Sequence, residues 1–130
     1  MKPEELRVGN WVNNHDEDYQ ITWATIAQLE RGESTVRPII LTEEWLKRFG
    51  FDGPCQDEGG ILPYYKLGRN RVYLFNQETD MSFFEFEYSP FPVKLFNLFK
   101  TYRYVHQLQN IVYILLEEEL KIHKDDQKEI

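Results

Sequence analysis

Two periodicities run through the chain: the alternation of a half-buried strand, and the three-to-four spacing of an amphipathic helix. Alternation comes first. In "LRVGNWV", residues 6–12, the apolar Leu6, Val8 and Trp11 are interrupted by Gly9, which predicts a strand kinked or bulged at the glycine. The polar run "NNHDED", 13–18, predicts a turn. In "YQITWATIAQLE", 19–30, Tyr19, Ile21 and Trp23 alternate, and the β-branched Thr25 and Ile26 follow. That pattern predicts a long strand, bulged near Ala24. "TVRPIIL", 35–41, predicts a third strand at a sheet edge, because Pro38 has no N–H for a ladder. Three such strands with short turns predict a meander.

A short helix over about 42–49 is predicted with both ends specified. The Thr42 hydroxyl can accept a free backbone N–H at the N-cap. Glu43 and Glu44 face the positive end of the helix dipole, and Lys47 and Arg48 the negative end. Leu41 and Leu46 have the spacing of a hydrophobic staple. Gly50 can take a left-handed conformation, which brings Phe51 back onto Leu46. Trp45, Leu46 and Phe49 form the buried side.

Residues 52–61 read as a loop that carries Cys55. "LPYYKL" and "RVYLFN" flank Gly68-Arg69-Asn70 and predict a hairpin. "SFFEFEY", 82–88, sets Phe84, Phe86 and Tyr88 on one face and Glu85 and Glu87 on the other. After Pro90 and Pro92, the content of 93–103 favours one more strand. The last element is a helix from about 104 to 117, with Tyr104, Val105, Leu108, Ile111, Val112, Leu115 and Leu116 in one apolar stripe. The sum is an α+β fold: a curved, mostly antiparallel sheet of about six strands, the short helix and the longer C-terminal one. One domain is expected over 1–122, with a charged, frayed tail over 123–130.

The helical wheel groups His106, Asn110, Tyr113 and Glu117 opposite that stripe, with Gln107 and Gln109 beside them. Amides and an imidazole both donate and accept. The row reads in three ways: a recognition surface, a solvated helix face, or side chains of Gln109 or Asn110 that tie down the backbone of a neighbouring loop.

Composition narrows the class. Aromatic residues make up 15% of the 130 positions, enough to build a core. The net charge of −7 argues against nucleic acid and anionic membranes as partners. A single cysteine excludes an intrachain disulfide and fits a cytoplasmic setting. No apolar run is long enough to span a bilayer. His15, His106 and His123 have no metal-ligand spacing, and no nucleophile elbow, phosphate loop or dinucleotide pattern occurs. The favoured reading is therefore a non-catalytic binding protein without a cofactor.

Three stretches carry a resemblance: "LRVGNWV" at 6–12, "PIILTEEWLKRFGF" at 38–51 and "YVHQLQNIVYILLEEEL" at 104–120. In this order they resemble a family of small proteins carried by gut bacteria of one phylum and by their phages and mobile elements. Members read "LRIGN-V", "PI-LTEEWL--FGF" and "YVHQLQNLYFAL-GEEL". Glu117 stands here where that pattern has glycine. No activity is established for the family, so the resemblance implies a setting, an accessory or counter-defence role, and not a mechanism.

Two binding readings follow. In the first, the protein docks on a host or phage protein through exposed aromatics and the row His106, Gln109, Asn110 and Tyr113. In the second, it sequesters a nucleotide signal, with the base stacked on an aromatic ring and the phosphate held by Arg69, Arg71 or Arg103. A small enzyme with a carboxylate and histidine site is the third and weakest. The oligomeric state is left open.

Overall fold

The computed structural model describes residues 5–14, 17–32, 36–60, 62–88, 93–95 and 102–122. The elements are β1 (Trp11–Asn14), β2 (Glu17–Gln20), α1 (Trp23–Glu30), α2 (Glu43–Arg48), β3 (Asp52–Cys55), β4 (Tyr64–Leu67), β5 (Asn70–Phe75), β6 (Phe83–Tyr88), β7 (Val93–Leu95) and α3 (Val105–Leu116). They fall into two compact units. Unit 1 is Met1–Ile40 with Tyr104–Glu119, and unit 2 is Leu41–Arg103 with Leu120–Ile130.

In unit 1, β1 and β2 pair as an antiparallel hairpin, with Val12 opposite Tyr19. The core gathers Leu6, Val12, Ile21 and Val36, with Tyr19, Ile26 and Leu29 packed against them. Helix α1 starts because Thr22 and Thr25 cap each other: the Thr25 N–H donates to Thr22 Oγ1 at 3.4 Å, and the Thr22 N–H donates to Thr25 Oγ1 at 3.3 Å. At the start of α3 the Gln107 side chain accepts the Tyr104 N–H at 3.0 Å. Val105, Leu108 and Val112 are fully buried, and each such side chain contributes roughly 1.5–3 kcal/mol. The helix ends on Glu117, whose φ of 56° and ψ of 33° are left-handed. An L-residue takes that conformation at some cost, so a glycine is the usual occupant.

Unit 2 holds a five-stranded antiparallel meander, ordered β3-β4-β5-β6-β7. Alternation along β5 and β6 buries Val72, Phe84 and Phe86 on one face. Trp45 and Leu46 are the buried positions of α2, and Phe49 and Phe51 are buried beyond it. The helix closes as its sequence predicts. The Gly50 N–H donates to Lys47 O at 3.0 Å and the Phe51 N–H to Leu46 O at 2.9 Å, the two bonds of a Schellman ending. Gly50 takes the required positive φ of 94°. Strand β3 runs tight against β4, and a Cβ on Gly53 would lie 2.9 Å from both Tyr64 O and the Tyr65 ring.

Several expectations are corrected. The chain is α+β, but the single curved sheet of about six strands becomes a hairpin and a separate five-stranded sheet, with a third helix. The strand expected over 19–30 stops at Gln20 and gives way to α1, because the Thr22–Thr25 cap satisfies the free N–H groups of a helix start. The third strand of the predicted meander is reduced to isolated bridges from Arg37 to Asn13 and from Ile40 to Tyr104. The stretch 6–12 turns at Val8–Gly9 before β1 begins. Residues 52–55, expected in a loop, form β3. Thr42 stands at the N-cap of α2 but makes no side-chain capping bond. Of the strand expected over 93–103, residues 93–95 form β7 and Tyr102 makes a bridge to Phe84. The tail 123–130, His15 and His123 lie outside the described residues.

Candidate functional site

The polar residues of the first and last motifs meet inside unit 1. Val8 and Gly9 turn the chain so that Asn10 is fully buried, and its Oδ1 accepts the Arg7 N–H at 2.6 Å. Helix α3 brings Gln109 against this turn. Gln109 Oε1 accepts the Trp11 N–H at 2.8 Å, and its Nε2 donates to Gly9 O at 3.0 Å. At the next position, Asn110 Oδ1 accepts from Asn10 Nδ2 at 2.9 Å and from Arg7 Nε at 3.0 Å, while its Nδ2 donates to Glu5 O at 3.3 Å. The Arg7 guanidinium lies 4.2 Å above the centre of the Tyr113 ring and forms an ion pair with Glu119.

The outward row is thereby corrected. Gln109 is fully buried and His106 is only 2% exposed, its ring parallel to that of Tyr104 at 5.9 Å between centres. Asn110 is half-buried, and of the predicted site residues on α3 only Tyr113 is exposed. Gln109 and Asn110 are anchors of the N-terminal loop, the third of the three readings. The apolar stripe explains why the row turns inward. It buries α3 along Val105, Leu108 and Val112, and the neighbouring positions 106 and 109 come with it. Arg7, Asn10 and Glu119 were missed. The signal for them is the polar pair Arg7 and Asn10 set among apolar residues near one end of the chain, matched by Gln109-Asn110 near the other.

The three arginines expected to hold a phosphate lie in unit 2. Arg69 is exposed in the turn between β4 and β5. Arg71 lies 4.0 Å over the Tyr64 ring, with Asp57 at 2.7 Å and Glu87 at 3.8 Å. Hydrogen bonds from Arg71 and from the Tyr64 hydroxyl hold the Asp57 carboxyl below the usual carboxylate range. Arg103 donates to the backbone carbonyls of Ser82 and Asp80. Two of the three guanidinium groups are thus engaged within the protein.

Unit 2 also has an open cavity of about 560 Å³, lined by Thr42, Glu43 and Glu44 at the start of α2, by Pro63 and Tyr65, and by Leu74 and Gln77. The Tyr65 hydroxyl donates to Glu43 Oε2 at 2.9 Å. Burial, and then the Glu43 carboxylate, push its pKa up to about 12. Lys47 stands 3.7 Å from the same Glu43 oxygen.

Among the described residues no group of three or more His, Cys, Asp or Glu side chains could hold a metal ion. No helix among them is long and apolar enough to cross a membrane. Family models, curated proteins and solved structures gave no match to the chain.

Proposed function

We propose that this is a non-catalytic binding protein that docks on another protein through the outer face of α3. The observation that carries this reading is the exposure of Tyr113 and Ile114, adjacent on the helix and 44% and 73% exposed. Packing does not account for Ile114, since the buried stripe is complete without it. Propensity does not account for it either, because a β-branched side chain is a poorer helix former than alanine. Large apolar side chains held in water at the end of a well-packed helix are the usual anchors of an interface. Glu117 and Glu118, both exposed, follow directly. The complementary partner surface is an apolar recess with a basic rim. A host or phage protein as the target, and an accessory or counter-defence role, are supported by the resemblance of the three motifs alone.

The test compares the intact protein with a Tyr113→Ala/Ile114→Lys double variant as bait in host lysate. The variant should stay folded and lose about 0.5–1 kcal/mol, the contact of Arg7 with the Tyr113 ring that alanine removes. A protein retained by the wild type in near-equal amount and released by the variant supports the reading. Equal retention by both baits, or none by either, refutes this face.

A further inference from the structure

We infer that the cavity of unit 2 is a binding site for an organic monocation on an apolar stem, an alkylammonium or alkylguanidinium group. The cavity volume of about 560 Å³ is that of an ordinary small-ligand site. Its lining divides by chemistry. Pro63, Leu74 and the Tyr65 ring give an apolar and aromatic wall, and Glu43 and Glu44 bring two carboxylates. Among the described residues no lysine or arginine lines it.

The two carboxylates do not have the same standing. Glu43 takes the Tyr65 hydroxyl on Oε2 and has Lys47 nearby. The bond from a nearly buried tyrosine fixes that carboxylate at the edge of the wall. Glu44 has no ion pair or side-chain hydrogen bond among the described residues, so its full negative charge is left for a ligand. The start of α2 adds a positive partial charge of about one half. Against two carboxylates and one exposed, screened lysine, it leaves the cavity negative. A phosphate or carboxylate ligand is repelled there, whereas a guanidinium finds a counter-charge beside an apolar wall for its stem. Thr42, whose hydroxyl is not spent on capping, adds an acceptor.

The cation can come from a free alkylamine or from a lysine or arginine side chain of a peptide. The site is in unit 2 and does not depend on the α3 face. The test is an amide-resolved NMR titration of the full chain with butylguanidinium, with its neutral isostere butylurea and with inorganic phosphate. Butylguanidinium should shift the Glu44, Leu74 and Gln77 amides saturably, and butylurea should bind at least about tenfold more weakly. Phosphate should leave these amides in place. Glu44→Gln should weaken the cation about tenfold, with the amide spectrum of the folded chain retained. A peptide with a single arginine that binds more tightly than butylguanidinium assigns the cation to a side chain, and one that binds no better assigns it to a free amine. Equal binding of butylurea and butylguanidinium, or no saturable shift at about 10 mM, overturns the proposal.

Discussion

Gln109 accepts the backbone N–H of Trp11 at 2.8 Å, across 98 positions of chain, and the other end of the same amide donates to Gly9 O. One side chain therefore satisfies a donor of the first residue of β1 and an acceptor of the turn before it. Buried backbone groups left unpaired cost about 1–3 kcal/mol each. Gly9 O also accepts from Gln20 Nε2 at 3.0 Å, so Gln109→Ala orphans the Trp11 N–H and should lower stability by about 1–3 kcal/mol in urea unfolding. Gln109→Glu should be no better, because a carboxylate accepts from Trp11 but cannot donate to Gly9. A glutamate variant as stable as the wild type would show that the donor side contributes nothing.

Glu117 offers the opposite case. It holds a left-handed φ of 56° at the end of α3, which costs a non-glycine residue about 1–2 kcal/mol. Glu117→Gly should relieve this strain. Part of the gain is offset by the greater freedom of glycine in the unfolded chain, leaving about 0.5–1 kcal/mol. Thermal unfolding checks it, and a lower midpoint for the glycine variant contradicts the strain argument.

At Gly53 the demand for glycine is steric. A Cβ there would sit 2.9 Å from Tyr64 O and from the Tyr65 ring, on a residue whose φ is 147°. Gly53→Ala should cost about 2–4 kcal/mol, through strain and overpacking together. The denaturation midpoint should fall with the slope unchanged. Should the alanine variant match the wild type, β3 does not run as close to β4 as described.

Tyr65 gives a pH dependence. Its pKa rises from 10.0 to about 12 in the folded protein, so the fold favours the neutral phenol. Below pH 10 both states keep the proton and the contribution is complete. Between pH 10 and about 12 the unfolded chain ionises first, and stability falls through that window. Melting temperatures measured at both ends of the window should drop less steeply for Tyr65→Phe than for the wild type. Parallel slopes would remove Tyr65 as the source.

What the sequence disclosed depended on range. The Schellman ending at Gly50 and Phe51 and the buried stripe of α3 are written within a few consecutive residues, and both were legible. Helix α1 was hidden because its cap uses Thr25 where glutamate or glutamine is the familiar signal, and because Tyr19, Ile21 and Trp23 imitate strand alternation. The exposure of Trp23, at 77%, shows that the alternation was accidental. The inward turn of Gln109 and Asn110 could not be read from a helical wheel. A wheel gives neighbours on the helix, and these amides are satisfied by groups about 100 positions away. The engagement of Arg71 and Arg103 was hidden for the same reason: positive charge is visible in a sequence, but the carboxylate or carbonyl that meets it is not.

The division of unit 1 between Met1–Ile40 and Tyr104–Glu119 has a consequence for biogenesis. A ribosome makes the Arg7–Trp11 turn about 100 residues before the helix that fastens it. Throughout elongation the nascent turn must keep its amides hydrated, and its final geometry waits for Gln109 and Asn110 to emerge. Translation would thus complete this part of the molecule in one delayed step, clasping a turn with a helix made well after it.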